Sequence, residues 1–144
     1  MAHIHESVDI NASAEKVKRL LVTPSEITKW FEGVDSVTPS STYPAVGSVI
    51  DGAMKVLAIE IKAKQTVLEN TPNLLRYQVD GMASGTQTWQ ITDLGGGKVR
   101  LETETDFELI GGAIGKLAAP AVVQVLGSNA RKSLENIKKL AESQ

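Results

Sequence analysis

Residues 111–144, GGAIGKLAAPAVVQVLGSNARKSLENIKKLAESQ, decide how the rest of this chain is read. Glycines at 111, 112 and 115 open the stretch, and apolar residues then recur at Leu117, Ala121 and Val125 and at Leu126, Ala130, Leu134, Ile137 and Ala141. Spacings of three and four place them along one broad stripe of a helix. About thirty helical residues reach about 45 Å, which is long for a small domain. Pro120 removes one backbone donor, so it is expected to bend this helix without ending it. A strand-rich chain that finishes in one long helix has one economical solution: the sheet curves around the helix, and a pocket is left between them.

The preceding residues are strand-rich. Residues 3–10 alternate, with Ile4, Val8 and Ile10 on one face and His3, His5, Ser7 and Asp9 on the other. Asn11 or Ser13 caps a first helix, which carries Val17, Leu20 and Leu21 and stops at Pro24. A second short helix, capped by Ser25, covers 25–31. A short strand at 34–37 precedes a Ser/Thr/Pro loop at 38–47. Strands are expected at 48–58, 59–70, 74–80, 86–94 and 98–109, with a loop holding Gly81 and Gly85 before the fourth of these. The last strand sets Val99, Leu101, Thr103, Thr105 and Phe107 against Arg100, Glu102, Glu104, Asp106 and Glu108. One buried and one solvated face mean an antiparallel sheet covered on one side.

Composition narrows the function classes. No cysteine is present, which excludes disulfides, Cys-based zinc sites and a thiol nucleophile. A net charge of −2 argues against nucleic-acid binding, which needs a basic surplus on one face. The opening residues lack the basic and apolar segments of a signal peptide, and no run approaches the roughly 18 apolar residues of a membrane span. A cytoplasmic protein without an integral membrane segment is expected, and residues 1–144 read as one domain.

The order strand, two helices, six strands, long helix resembles that of START-like domains of the SRPBCC superfamily, the helix-grip fold. Val8-Asp9-Ile10-Asn11-Ala12-Ser13-Ala14-Glu15-Lys16-Val17 is similar to the family's opening strand-to-helix pattern. Trp30-Phe31-Glu32-Gly33-Val34 resembles the segment after its second short helix, and Val46-Gly47-Ser48 the entry to its third strand. Residues 107–115 and 129–142 resemble the strand-to-helix junction and closing helix of two branches, one polyketide cyclase/dehydrase-like and one similar to a subunit of carbon monoxide dehydrogenase. The resemblance implies an α+β fold: a curved seven-stranded antiparallel sheet wrapped around a long C-terminal helix, with two short helices between strands 1 and 2. It leaves function open, because the fold hosts carriers, receptors and cyclases.

Strand parity selects the side chains that face the helix. Met54 and Val56, Ile61 and Gln65, Tyr77, Gln87 and Trp89, and Thr103 and Thr105 share inward parity with apolar neighbours. With Trp30 from the second short helix and Leu117, Ala121 and Val125 from the long one, they are the expected ligand-binding residues. Such a surface suits a ligand with a large apolar body and few polar atoms. The amides and hydroxyls among them have an alternative use, bonding one another or water. Glu6 shares parity with Ile4 and Val8 and is the weak candidate for acid–base catalysis; the alternative is a strand-end carboxylate reaching solvent or a nearby lysine.

Other constellations carry less. His3 and His5 share a strand face at metal-ligand spacing, but on the outer face and without a third histidine, so no metal site is expected. The segment 111–116 fails the phosphate-loop spacing, with Ile110 at the first glycine position and Leu117 after the lysine. The row Glu102, Glu104, Asp106 and Glu108 reads as a solvated face. The expected activity is binding of a hydrophobic small molecule (a lipid, isoprenoid or polyketide-like compound) in an internal cavity of about 300–1,000 Å³, without cofactor. A cyclase/dehydrase-type enzyme and an accessory subunit of another enzyme are the alternatives. The sequence identifies no protein partner.

Overall fold

The computed structural model describes residues 2–110 and 115–143, with side chains of the final helix from Ala119 onward. Its elements are β1 (Ala2–Ile10), α1 (Ala14–Val22), α2 (Pro24–Trp30), β2 (Val34–Pro39), β3 (Val49–Val56), β4 (Ile59–Thr71), β5 (Leu74–Gly81), β6 (Ala83–Gly95), β7 (Lys98–Leu109) and α3 (Gly115–Ser143). The strands form one seven-stranded sheet in the order β1-β7-β6-β5-β4-β3-β2, and every pairing is antiparallel. This is the helix-grip arrangement the sequence leads one to expect. Because β1 and β2 lie at opposite edges, α1 and α2 must carry the chain from one edge to the other. Register shifts at Val34/Ser36, Val67/Glu69 and Asp93/Gly95 interrupt the ladders. Such bulges bend strands and increase their twist, which favours a curved sheet.

Local chemistry explains the helix boundaries. Ser13 caps α1, its Oγ accepting from the Lys16 amide at 3.2 Å, and Glu15 sits in the first turn where the helix dipole favours an acid. The cap of α2 is Thr23, not the expected Ser25. Pro24 is the cause: a proline suits the first helical position, and it pushes the residue before it into an extended conformation. The Thr23 hydroxyl donates to the Arg19 carbonyl at 2.6 Å, so it closes α1.

The expected loop around Gly81 and Gly85 is mostly strand, with only Met82 between β5 and β6. Gly85 lies inside β6, where a Cβ would come within 1.8 Å of the Asp106 carbonyl oxygen on β7. Only glycine permits that approach.

The main core gathers Val17, Leu20, Trp30, Leu75, Leu101, Leu134, Ile137 and Ala141 with their neighbours. A smaller cluster joins Val56 and Ile61 to Val122 of α3.

The phase of α3 differs from the expected stripe. Val122 is fully buried, whereas Ala121 is exposed. The series 117, 121, 125 is set one residue, about 100°, from the series 126, 130, 134 that faces the cavity and core, whereas Val122 continues that second series. Counted back from the cavity-facing Leu126, Val122 lies about 40° round the helix and Ala121 about 140°.

Candidate functional site

A cavity of about 150 Å³ lies between the concave face of the sheet, α2 and α3. Trp30, Met54 and Ile61 contribute to its wall, as do Gln65, Tyr77 and Gln87 from neighbouring strands and Trp89, Thr103 and Thr105 from the far side. The alternation of β3 to β7, together with α2, therefore brings nine of the thirteen expected residues to one surface. Val56 and Val125 instead pack in the smaller cluster with Val122, away from the cavity wall. Ala121 faces outward for the reason of helix phase, and the side chain of Leu117 lies outside the described residues.

The cavity is smaller than the expected range of about 300–1,000 Å³. Aromatic packing occupies much of the concave space. Trp30 stacks on Phe31 with ring centres 5.4 Å apart, and Trp89 meets Trp30 edge-on at 5.2 Å. Such contacts add to the burial of large apolar areas. The Trp30 ring is pinned by its indole N–H, which donates to the Leu20 carbonyl at 2.8 Å.

The polar groups of the wall are few and mostly paired. Gln65 Nε2 donates to Gln87 Oε1 at 3.0 Å, bridging over β5. The Tyr77 hydroxyl bonds the Tyr43 hydroxyl at 2.7 Å. Burial pushes the Tyr77 hydroxyl far above the usual phenol range, with Tyr43 adding to the shift, so Tyr77 stays protonated. Burial raises Tyr43 as well, opposed by its bond to Tyr77. The buried Thr103 Oγ1 has no hydrogen-bond partner among the described residues.

Sequence reasoning missed a polar anchor on α3. Leu126, Asn129, Ala130 and Ser133 all reach the cavity. Ser133 is fully buried, its Oγ donating to the Asn129 carbonyl at 2.7 Å and accepting from the Glu32 amide at 2.9 Å. One turn on, Asn136 Nδ2 donates to the Trp30 carbonyl at 3.1 Å. These bonds fix the α2–β2 junction against α3. Gly33 at that junction has φ +87, and a Cβ there would press within 2.9 Å of the Asn129 side chain. The signal was present in the spacing of Asn129, Ser133 and Asn136 beside the apolar stripe.

Glu6 does not reach the cavity wall; its carboxylate pairs with Arg131 of α3 at 3.5 Å. His3 and His5 lie on the outer face as expected, His3 Nδ1 bonded to Asp106 and His5 Nε2 to Glu102 at 3.1 Å. Its bond to Asp106 holds His3 above the usual imidazole pKa. Among the described residues, His3, Glu104 and Asp106 are the three whose ligand atoms approach closely enough to share a metal. All three belong to the outer surface of β1 and β7, and the His3–Asp106 ion pair accounts for the approach of two of them.

Comparison with known proteins agrees with this architecture. The family described as polyketide cyclase / dehydrase and lipid transport matches residues 1–142. No curated protein matches the chain in sequence. Among solved structures, TTHA0849 from Thermus thermophilus superimposes with a TM-score of 0.83 at 17% identity, covering 99% of this chain and 100% of that one. The Zhui aromatase/cyclase from Streptomyces sp. R1128 gives 0.78 at 16% identity, covering 98% and 93%. A START superfamily protein from Mycobacterium smegmatis gives 0.68 at 16% identity, covering 96% and 98%. At such identities these structures attest the fold alone. The family match over nearly the whole length does more: this chain belongs to the polyketide cyclase/dehydrase and lipid transport family.

Proposed function

We propose that residues 1–144 form one ligand-binding domain that holds a hydrophobic small molecule in the cavity between the sheet and α3, in a cytoplasmic setting. The observation that supports this reading is the character of the wall. Its described residues are aliphatic, aromatic, amide or hydroxyl-bearing, and none is Asp, Glu, His, Lys or Arg. An apolar enclosure with a few polar atoms favours a molecule that is mostly hydrocarbon. Among the described residues no helix is long and apolar enough to cross a membrane, so the ligand site does not depend on a spanning helix.

The family also includes cyclases and dehydrases in its description, which keeps enzymatic turnover as the second reading. General acid–base catalysis needs side chains positioned on the substrate with suitable pKa values. Tyr77 is held protonated and Glu6 is committed to Arg131, so binding is favoured over turnover. Native mass spectrometry of the chain purified without added ligand tests the choice. A retained neutral compound, released on denaturation and unchanged by further incubation, is the expected result. Conversion of that compound with many turnovers per chain contradicts it, as does a chain that neither retains nor takes up any hydrophobic compound.

A further inference from the structure

Two side-chain amides stand on the concave face of the sheet, Gln65 of β4 and Gln87 of β6, and both contribute to the cavity wall. β5 runs between their strands, and Gln65 Nε2 reaches over it to donate to Gln87 Oε1 at 3.0 Å. A primary amide carries two donor hydrogens and a carbonyl oxygen with two lone pairs. Two amides closed into a ring would satisfy each other twice. Here a single bond joins them, so the Gln65 carbonyl oxygen and the Gln87 NH2 have no partner among the described residues. The result does not depend on which amide donates, since reversing the bond leaves one carbonyl and one NH2 over as before. Unlike Thr103 Oγ1, these groups are not closed off from a water-sized molecule.

The surroundings extend this polar patch without charging it. Thr105 of β7 lies directly across from Gln87 and brings a hydroxyl to the wall, and Asn129 adds an amide from α3 on the other side of the cavity. Trp89, two residues along β6, can donate but not accept.

Three features then define a ligand. The free carbonyl and the free NH2 sit on separate side chains, so a donor and an acceptor on separate atoms match them best. None of the described wall residues is charged, so a ligand carboxylate or phosphate would lose its hydration without compensation. The volume of about 150 Å³ is that of a small ring; an apolar cavity of this size accommodates benzene.

We propose that the linked amides of Gln65 and Gln87 are the polar anchor of this site, and that it takes a neutral, ring-sized carboxamide or lactam. The ligand N–H donates to the Gln65 carbonyl, and the ligand C=O accepts from the Gln87 NH2. This inference rests on the binding reading above and names its ligand class.

Titration of the amide NMR spectrum at pH 7 with benzamide, acetophenone, benzoate and toluene tests it. The first three share a ring and a carbonyl and differ only in the third group, NH2, CH3 or O⁻. In the wild-type chain benzamide should bind more tightly than acetophenone, and benzoate should leave cavity amides unshifted at concentrations that saturate with benzamide. Gln65→Met/Gln87→Met replaces both amides by apolar chains of the same length, and removing both partners together orphans neither. In this variant the ratio of benzamide to acetophenone affinity should fall about tenfold, the worth of one good hydrogen bond, while toluene still binds. Acetophenone binding the wild type as tightly as benzamide overturns the inference and leaves the binding reading intact, whether or not the variant folds. So does an unchanged ratio in the variant, benzoate binding as tightly as benzamide, or binding of toluene alone. If none of the four compounds shifts cavity amides, the binding reading itself fails and the inference falls with it.

Discussion

Two buried hydroxyls in this fold should respond with opposite signs when removed. Thr103 Oγ1 is buried without a partner among the described residues, whereas Ser133 Oγ donates to the Asn129 carbonyl and accepts from the Glu32 amide. An unsatisfied buried polar group costs about 1–3 kcal/mol. Thr103→Val removes that cost and buries one more methyl group, worth about 0.8 kcal/mol. A methyl group packs less closely where an oxygen sat, which offsets part of this, so a net gain of about 1 kcal/mol is expected. Ser133→Ala leaves the Glu32 N–H and the Asn129 carbonyl without their partner, and should lose about 1–3 kcal/mol. Urea unfolding at constant m-value separates the two, and the melting temperature should move by about 3 °C per kcal/mol, up for Thr103→Val and down for Ser133→Ala. A loss of about half a kcal/mol or more for Thr103→Val would refute the reasoning, because it would mean that the hydroxyl is a structural group with a partner in the fold.

Leu134→Ala and Ile137→Ala should each cost about 2–5 kcal/mol in the same experiment, since both side chains are buried in the main core. The phase of α3 predicts that Val122→Ala costs about 1.5–3 kcal/mol, from two lost methyl groups and the void they leave, while Ala121→Ser stays within about 0.5 kcal/mol. His3 has a pKa raised above its ordinary 6.5, chiefly by its hydrogen bond to Asp106. The pair's stabilising contribution is thus fully present below the unfolded-state value and is lost as pH rises through the higher folded-state value. An NMR titration of the His3 ring should show a midpoint above 6.5, falling when Asp106→Asn removes the carboxylate.

The alternation of β7 and β1, and the parity of Gln65, Tyr77, Gln87 and Trp89, were legible because a strand's side chains have a period of two and a misreading by one residue inverts the whole face. The long helix was legible as an element but not in phase. Joining 117, 121 and 125 to 126, 130 and 134 as one stripe hides an offset of one residue, about 100°, so it points to Ala121 where the buried residue is Val122. The position of α2 turned on Pro24, whose effect on Thr23 outweighed the capping preference of Ser25. Cavity volume was beyond the reach of sequence, because it depends on how Trp30, Phe31 and Trp89 pack against one another across elements distant in the chain. The unpaired state of Thr103 was equally hidden: parity places its side chain inward, but only the assembled fold reveals which neighbours it lacks.

The central claim is that a hydrophobic molecule occupies the space between the sheet and α3, and the anomalous scattering of bromine locates such a molecule directly. In a crystal of this chain grown with bromobenzene, the account predicts a bromine peak enclosed by Trp89, Gln87, Thr103 and Leu126 at high occupancy, with the chain's fold unchanged. Bromine peaks confined to the outer surface of the sheet, with none between the sheet and α3 at saturating bromobenzene, would contradict it.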